Sequence, residues 1–304
     1  MCHEALKELV LETREFALLL GDIHADGTRI DGAIQQRVKL INLQDQDDFL
    51  RTLTIQAAAV ADDSGRITDA VLLYHLAEEF DNVIVIISRA LSDAIAVDLS
   101  QEQMRLQPLK PRQPDSQQQG QQQQQQQQRQ DQSSLSLTSV DDPATLASNM
   151  LSLYEKNGLT YRRIRTGNRE ACAMLLRISR VKELVANSQF HTALNTIDSL
   201  DMVPLHAGGN ISLVRSAAQA FAALPQVVSR NVGSLLVWSV LCISKERERC
   251  RAAQFQTGAS EGALEGLNQA AKDLMTFAGL VRYKLSGDVF EMLARAGQEG
   301  ATGL

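Results

Sequence analysis

The sequence predicts an all-α protein: antiparallel helix hairpins stacked as an irregular αα-solenoid, interrupted by a disordered glutamine-rich insert. Three observations carry that expectation. Apolar residues recur at steps of three and four through most of the 304 residues, the spacing that lines one face of a helix. Hydrophobic residues make up 44% of the chain but aromatics only 4%, so the core must be built from Leu, Ala, Val and Ile, which favours helices over a β-sandwich. The stretch Gly65 to Ala96 reads as two amphipathic helices joined by a very short turn, a connection that makes them antiparallel and leaves apolar surface for further hairpins.

The first helix of that pair runs from about Arg66, with Ala70, Leu73, Tyr74, Ala77 and Phe80 on one face and Leu72 and Leu76 widening it. Glu78 and Glu79 are left to water. The turn falls at Phe80 and Asp81, and Asp81 suits the N-cap of the second helix because its carboxylate accepts orphan backbone N–H groups. Val83, Ile86, Ile87, Ala90, Leu91, Ala94 and Val97 then continue at helical spacing; Val83 to Ile87 alone would also fit a buried strand, and the longer period decides for helix. The core positions expected from this reading are Leu73, Tyr74, Phe80, Ile87 and Leu91, joined by Trp238 in the second half.

Ahead of the pair, Glu4 to Leu20 is expected to be one helix, GDIHADGTRIDG a turn-rich loop, Ala33 to Asn42 a short helix and Asp47 to Ala61 another. From Leu106 the composition changes: Pro108, Pro111 and Pro114 lead into an uninterrupted run Gln121 to Gln128 and a Ser/Thr stretch, too poor in apolar residues to offset the entropy of ordering. This divides the chain into a helical block over 1–106, a disordered insert over 107–140 and a second block of the same solenoid over 141–304. A glutamine tract either promotes association or sits as a tolerated surface loop, since loop closure costs little more as a loop lengthens.

Asp141, Asp142 and Pro143 suit a helix first turn, and Leu146, Met150, Leu153 and Tyr154 carry the stripe to Asn157 and Gly158. LTYRRIRTGNRE then gathers Arg162, Arg163, Arg165 and Arg169, the strongest local basic cluster and the candidate partner-binding residues. The cluster fits either an acidic or phosphorylated partner or ion pairs with neighbouring acids. Ala171 to Asn187, then a helix from Gln189 capped by Ser188 and stopping before Pro204, form a second tight hairpin. Helices over Ile211 to Leu224, Gln226 to Gln254, Glu261 to Lys284 and Gly287 to Ala296 complete the array. The apolar run Val232 to Ile243, with Trp238, is too short to span a bilayer and reads as a buried helix, while the charged run Lys245 to Arg251 reads as a solvated face.

Several function classes find no support. A net charge of −6 gives no electrostatic case for direct nucleic-acid or anionic-membrane binding. Cys2, Cys172, Cys242 and Cys250 are scattered, which suggests reduced thiols and offers no metal-ligand spacing. Asp22, Asp26 and Asp31 lack the alternation and closing glutamate of a calcium loop, and LHAGGN lacks the context of a phosphate cradle. No nucleophile–base pair or paired catalytic carboxylates can be assembled, and His75 and His191 read as packed helix residues. The expectation is a protein with no catalytic residue, no cofactor, no metal, no small-molecule substrate, no transmembrane segment and no secretory or transit leader. Its function would lie in presenting surfaces.

GRITDAVLLYHLAEEFDNVIVIISRALSDAIAVDL closely resembles the C-terminal region of the nucleoporin interacting component family, and DDPATLASNMLSLYEKN and NREACAMLLRISRVKELVANSQFHTALNTIDSLDMVP agree with it. The resemblance implies a large helical scaffold nucleoporin of the nuclear pore inner ring, located at the nuclear envelope, with other nucleoporins as partners and a role in supporting nucleocytoplasmic transport. It implies the tail part of such a protein, because the flexible coiled-coil-forming region with which family members begin has no match here. Two alternatives stand beside it: an αα-solenoid scaffold of another assembly, such as a vesicle coat or a regulatory particle, and a glutamine-rich transcriptional regulator.

Overall fold

A computed structural model describes residues 2–23, 28–38, 46–107, 140–257 and 261–299. Among these residues the fold is helical apart from one two-stranded antiparallel β-hairpin. The first part comprises α1 (Cys2–Thr13), α2 (Phe16–Leu20), β1 (Gly21–Ile23), β2 (Arg29–Asp31), α3 (Ala33–Val38), α4 (Gln46–Asp63), α5 (Ile67–Leu76) and α6 (Phe80–Ala96). The second comprises α7 (Pro143–Lys156), α8 (Gly158–Arg162), α9 (Thr166–Ala186), α10 (Phe190–Asp198), α11 (Ile211–Ala222), α12 (Gln226–Ser229), α13 (Val232–Thr257), α14 (Glu261–Leu280) and α15 (Gly287–Glu299). The expected all-α class of antiparallel hairpins is what the structure contains. The expected disordered insert falls almost wholly on residues outside those described.

The chain forms two compact units, 1–94 with 103–172 and 95–102 with 173–304; the boundaries at 94/95 and 172/173 fall inside helices, α6 and α9. In the first unit, α5 packs on α4 and α4 on α1. Thr68, Asp69, Ala70, Val71, Leu72, Leu73, His75 and Leu76 of α5 are all buried, so this helix is covered on every side rather than along one stripe. The flanks of the glutamine-rich stretch meet in this unit: the N–H of Leu106, itself buried, donates to the Asp141 carbonyl at 2.6 Å, and Arg105 pairs with the Asp141 carboxylate. In the second unit, α13 is the hub, packed against α10, α14 and α15.

Three hairpins end their first helix in the same way. The N–H groups of Arg66, Glu79 and Gln189 each reach back five residues, to the carbonyls of Ala61, Tyr74 and Leu184, at 2.9, 2.9 and 2.8 Å. The preceding residue has a left-handed backbone each time: Gly65 at φ 72°, Glu78 at φ 58° and Ser188 at φ 59°. This double reversal satisfies the last helix carbonyls and turns the chain in three residues. Only the first turn uses glycine, the residue without a penalty there. Ser188 is exposed, so Ser188→Gly is expected to raise stability by about 0.5–1 kcal/mol through relief of the left-handed strain. A higher urea midpoint checks this; an unchanged or lower one would show that the serine carries no strain.

Several local expectations are corrected. The turn of the central pair lies at Ala77–Glu79, not at Phe80 and Asp81, because the left-handed Glu78 lets α6 start at Phe80. Asp81 lies inside the first turn of α6, and its Oδ1 accepts instead from the Arg165 N–H at 2.9 Å and Asn168 Nδ2 at 2.8 Å, at the start of α9. Ser188 does not cap α10; the N-cap position is Gln189, with no side-chain bond. Glu4 to Leu20 is two helices, broken where Arg14 adopts φ 53° and sends its guanidinium to Asp69.

The expected loop GDIHADGTRIDG contains β1 and β2, registered Gly21 to Asp31, Asp22 to Ile30 and Ile23 to Arg29. The close approach there requires glycine: a Cβ on Gly21 would lie 1.9 Å from the Ile30 carbonyl oxygen, and one on Gly32 would lie 2.4 Å from the Leu19 oxygen. Asp26 and the second half of Ala33 to Asn42 lie outside the described residues. At the start of the second block the reading of Asp142 and Pro143 holds, since the Asp142 side chain accepts from the Thr145 N–H and Pro143 opens α7.

The expected single helix over Gln226 to Gln254 is two, α12 and α13, separated at Arg230 and buried Asn231, whose Nδ2 donates to the Val227 carbonyl at 3.0 Å. Among the described residues Gln226–Ala252 is, by length and composition alone, long and apolar enough to cross a membrane, which the twelve-residue run within it is not. The stretch has 56% of its apolar window buried and continues to a buried Arg247, as a core helix does. The charged run after it is not a solvated face throughout. Arg247 is 2% exposed and donates to the carbonyls of Ala296 at 2.9 Å and Leu267 at 3.3 Å, and Glu246 is buried beside it.

Candidate functional site

The four arginines of the basic cluster lie in the first unit, from the end of α8 to the start of α9. Three of them are held by the protein's own groups. Arg163 donates to Glu78 twice, to the carboxylate at 2.8 Å and to the backbone carbonyl at 2.9 Å, while its guanidinium sits 4.9 Å from the centre of the Phe80 ring. Arg165 pairs with Asp81 at 2.8 Å. Arg169 donates to the Tyr161 carbonyl at 3.0 Å and Thr166 Oγ1 at 2.9 Å and stacks over the Tyr161 ring at 4.1 Å. Arg162, exposed at the end of α8, has no ion pair among the described residues. The acids that engage the cluster belong to the turn and first residues of the central pair, so Glu78 and Asp81 work as anchors for the segment that follows α7.

Beside these contacts the first unit holds a closed aromatic cluster. His75 is 3% exposed, and its Nδ1 lies 3.0 Å from the Tyr154 hydroxyl. The Tyr154 ring stacks on His75 at 5.8 Å and meets Phe80 edge-on at 5.1 Å. Burial pushes the His75 imidazole from its ordinary value near 6.5 down to about 4, and pushes the Tyr154 phenol well above its ordinary range. The folded chain therefore refuses a proton between those pH values that the unfolded chain accepts, so stability fully present above pH 6.5 is lost as the pH falls toward 4. At pH 5 the loss should be about 2 kcal/mol relative to pH 7.5. Urea unfolding at the two values checks it: His75→Leu should abolish most of the difference, and an equal difference in both proteins would place the titration elsewhere.

Of the other core positions named from the sequence, Leu73 is fully buried, Ile87 and Leu91 are each 1% exposed, and Phe80 and Trp238 are buried. Tyr74 is half-buried. His191, expected among packed residues, is instead exposed, 3.5 Å from Glu246. The polar groups that sequence reasoning missed are buried and structural. Asp69, 1% exposed, takes two bonds from Arg14, at 2.6 and 2.9 Å. Lys182 is buried with its Nζ 2.6 Å from the Val97 carbonyl, just past the end of α6. Asp273 accepts from the Gly209 N–H at 2.9 Å, holding the loop that carries two glycines.

The chemistry available is correspondingly quiet. Among the described residues no group of three His, Cys, Asp or Glu side chains could hold a metal ion. Burial raises the Cys172 thiol to about 11 and the Cys242 thiol to about 12, which keeps both protonated and poor as nucleophiles. A cleft of about 500 Å³ in the first unit is lined by Arg29, Arg51 and Arg163 with Asp47, Asp48 and Glu78. The charges of these six balance one another, and among the described residues that line it there is no histidine or cysteine.

Comparison with known proteins decides the family. The sequence profile of Nup93/Nic96 matches residues 1–292. The chain belongs to the Nup93/Nic96 family. Among its relatives is the nucleoporin NIC96 of Chaetomium thermophilum, 46% identical over 298 residues that make up 97% of this chain and 26% of the relative. The nucleoporin NIC96 of Saccharomyces cerevisiae is 35% identical over 294 residues, 96% of this chain and 31% of the relative. The nuclear pore complex protein Nup93 of Danio rerio is 24% identical over 296 residues, 95% of this chain and 30% of the relative. The chain thus spans between a quarter and a third of the length of these family members. The crystal structure titled Chaetomium thermophilum Nic96 SOL superposes with a TM-score of 0.86 at 45% identity, covering 97% of this chain and 40% of that one. The helical hairpins described above are therefore the Nup93/Nic96 fold.

Proposed function

We propose that this chain is a structural scaffold component of the nuclear pore complex, located at the nuclear envelope, that binds other nucleoporins of the inner ring and so supports nucleocytoplasmic transport. It corresponds on this reading to the C-terminal part of the longer family members and performs no catalysis. The observation that carries the proposal is the match of the whole helical array to a solved Nic96 solenoid at high identity. The physical character of the chain supports it. Arg14–Asp69, Arg163–Glu78 and Arg165–Asp81 hold helices together and the buried Cys172 and Cys242 thiols are protonated, which leaves an ordered helical surface rather than a reactive centre. A vesicle-coat scaffold and a glutamine-rich regulator have no support among the relatives described.

Native purification of the tagged full chain, with quantitative mass spectrometry of what accompanies it, tests the proposal. Nucleoporins in near-equal amounts are the expected result. Coat or regulatory-particle subunits in their place would overturn it.

A further inference from the structure

The arginine cluster has a second aspect, which rests on the reading of this chain as a scaffold that binds other proteins. The short helix α8 buries none of its residues, yet it is fixed at both ends. Asn157 Oδ1 accepts from the N–H groups of Leu159 at 3.1 Å and Thr160 at 3.3 Å, and at the other end Arg169 holds the Tyr161 carbonyl and ring. Ile164, 2% exposed, plugs the chain into the core directly after it. A turn of helix that contributes nothing to the core but is held rigid from both sides is a presented element rather than a loose connection.

What it presents is an apolar side chain beside a free charge. Leu159 is 77% exposed, more than any other exposed large hydrophobic side chain of the described residues. Arg162 follows three residues later, on the same side of the turn. Arg163, Arg165 and Arg169 are engaged with Glu78, Asp81 and the Tyr161 carbonyl, so Arg162 is the member of the cluster whose charge has no internal complement among the described residues. We propose that Leu159 and Arg162 form an anchor for another protein, one that offers an apolar pocket rimmed by a carboxylate.

The charge chooses the occupant. A nucleic acid or a phosphorylated segment would need several free cations, and here three of the four guanidiniums are already committed. A single leucine with a single arginine matches an apolar pocket with one acid, and because α8 is already ordered, little conformational freedom is lost on docking.

The test uses the full chain in its own cells, with photo-reactive benzoylphenylalanine at position 159. Irradiation is expected to join that position to one peptide of another nucleoporin carrying Asp or Glu. Arg162→Glu should reduce the yield by about tenfold, while Arg162→Lys and the exposed control Arg180→Glu should leave it within about threefold. Neither position 159 nor position 162 is buried, so an unchanged circular dichroism spectrum certifies the variants. Cross-links to residues 108–139 of this same chain, no cross-link at all, or a yield indifferent to Arg162→Glu would each overturn the anchor. If nucleoporins still co-purify when the cross-link is absent, the anchor alone has failed; if they do not, the scaffold reading fails with it.

Discussion

Leu73→Asp should cost about 3–5 kcal/mol and unfold the first unit, because it sets an unpaired carboxylate in the middle of α5, where Asp69, Ala70, Leu72, Leu76 and Ala77 around it are all buried. Leu73 is 0% exposed, so the charge has no rotamer that reaches water. The comparison is Glu79→Ala, six residues away, which removes a partly exposed pair with Arg51 and should cost about 1 kcal/mol or less. Urea unfolding followed by circular dichroism distinguishes the two. Equal shifts would contradict the placement of α5 at the centre of the unit.

Arg14→Ala should be the next most damaging change. It leaves the Asp69 carboxylate 1% exposed and without its two-bond partner, and the remaining cation, Arg66, stands 3.8 Å away. Breaking a buried pair from one side leaves an uncompensated charge; with Arg14 itself 31% exposed, the cost should be about 2–3 kcal/mol. The change also removes the guanidinium that the left-handed turn between α1 and α2 delivers. Combining it with Asp69→Leu should restore much of the loss, since an apolar side chain of similar size suits that site. A double variant as unstable as the two singles added together would show that the pair does not act as a unit.

The fold was largely legible because helical periodicity accumulates over many residues. Leu73 in α5 and Ile87 and Leu91 in α6 are buried where a three-and-four spacing puts them, whereas Phe80 is buried as the first residue of α6 rather than on the first helix. What the period does not encode is where one helix stops, when the stop is made by a non-glycine residue in a left-handed conformation. Glu78 and Ser188 look like ordinary polar turn residues, and their role appears only in the backbone. The β1–β2 hairpin escaped notice because its strands are three residues long and are fixed by the close approach of Gly21 and Gly32. The charged run after Trp238 misled because a solvated face and a face later covered by α14 and α15 share one composition; Arg247 is buried by chain some twenty to fifty residues on.

The candidate site was legible in composition and not in geometry. Four arginines in eight residues are plain to see, but their acids, Glu78 and Asp81, lie 85 and 84 residues away, and only the packing of α7 to α9 on the central pair brings them together. The same distance hid Arg162. A free cation is recognisable only after its neighbours' partners are known. Gly65 to Ala96 therefore has a double role: the sequence that carries the family likeness also supplies the acids that hold the arginine segment in place.

The central claim, that this helical array is a nuclear pore scaffold, is tested most directly by where the protein sits. A fluorescent fusion of the full chain, expressed from its own locus, is predicted to give a continuous signal at the nuclear rim that coincides with other nucleoporins. Vesicular, cytosolic or diffuse nucleoplasmic fluorescence, with none at the rim, would contradict the account.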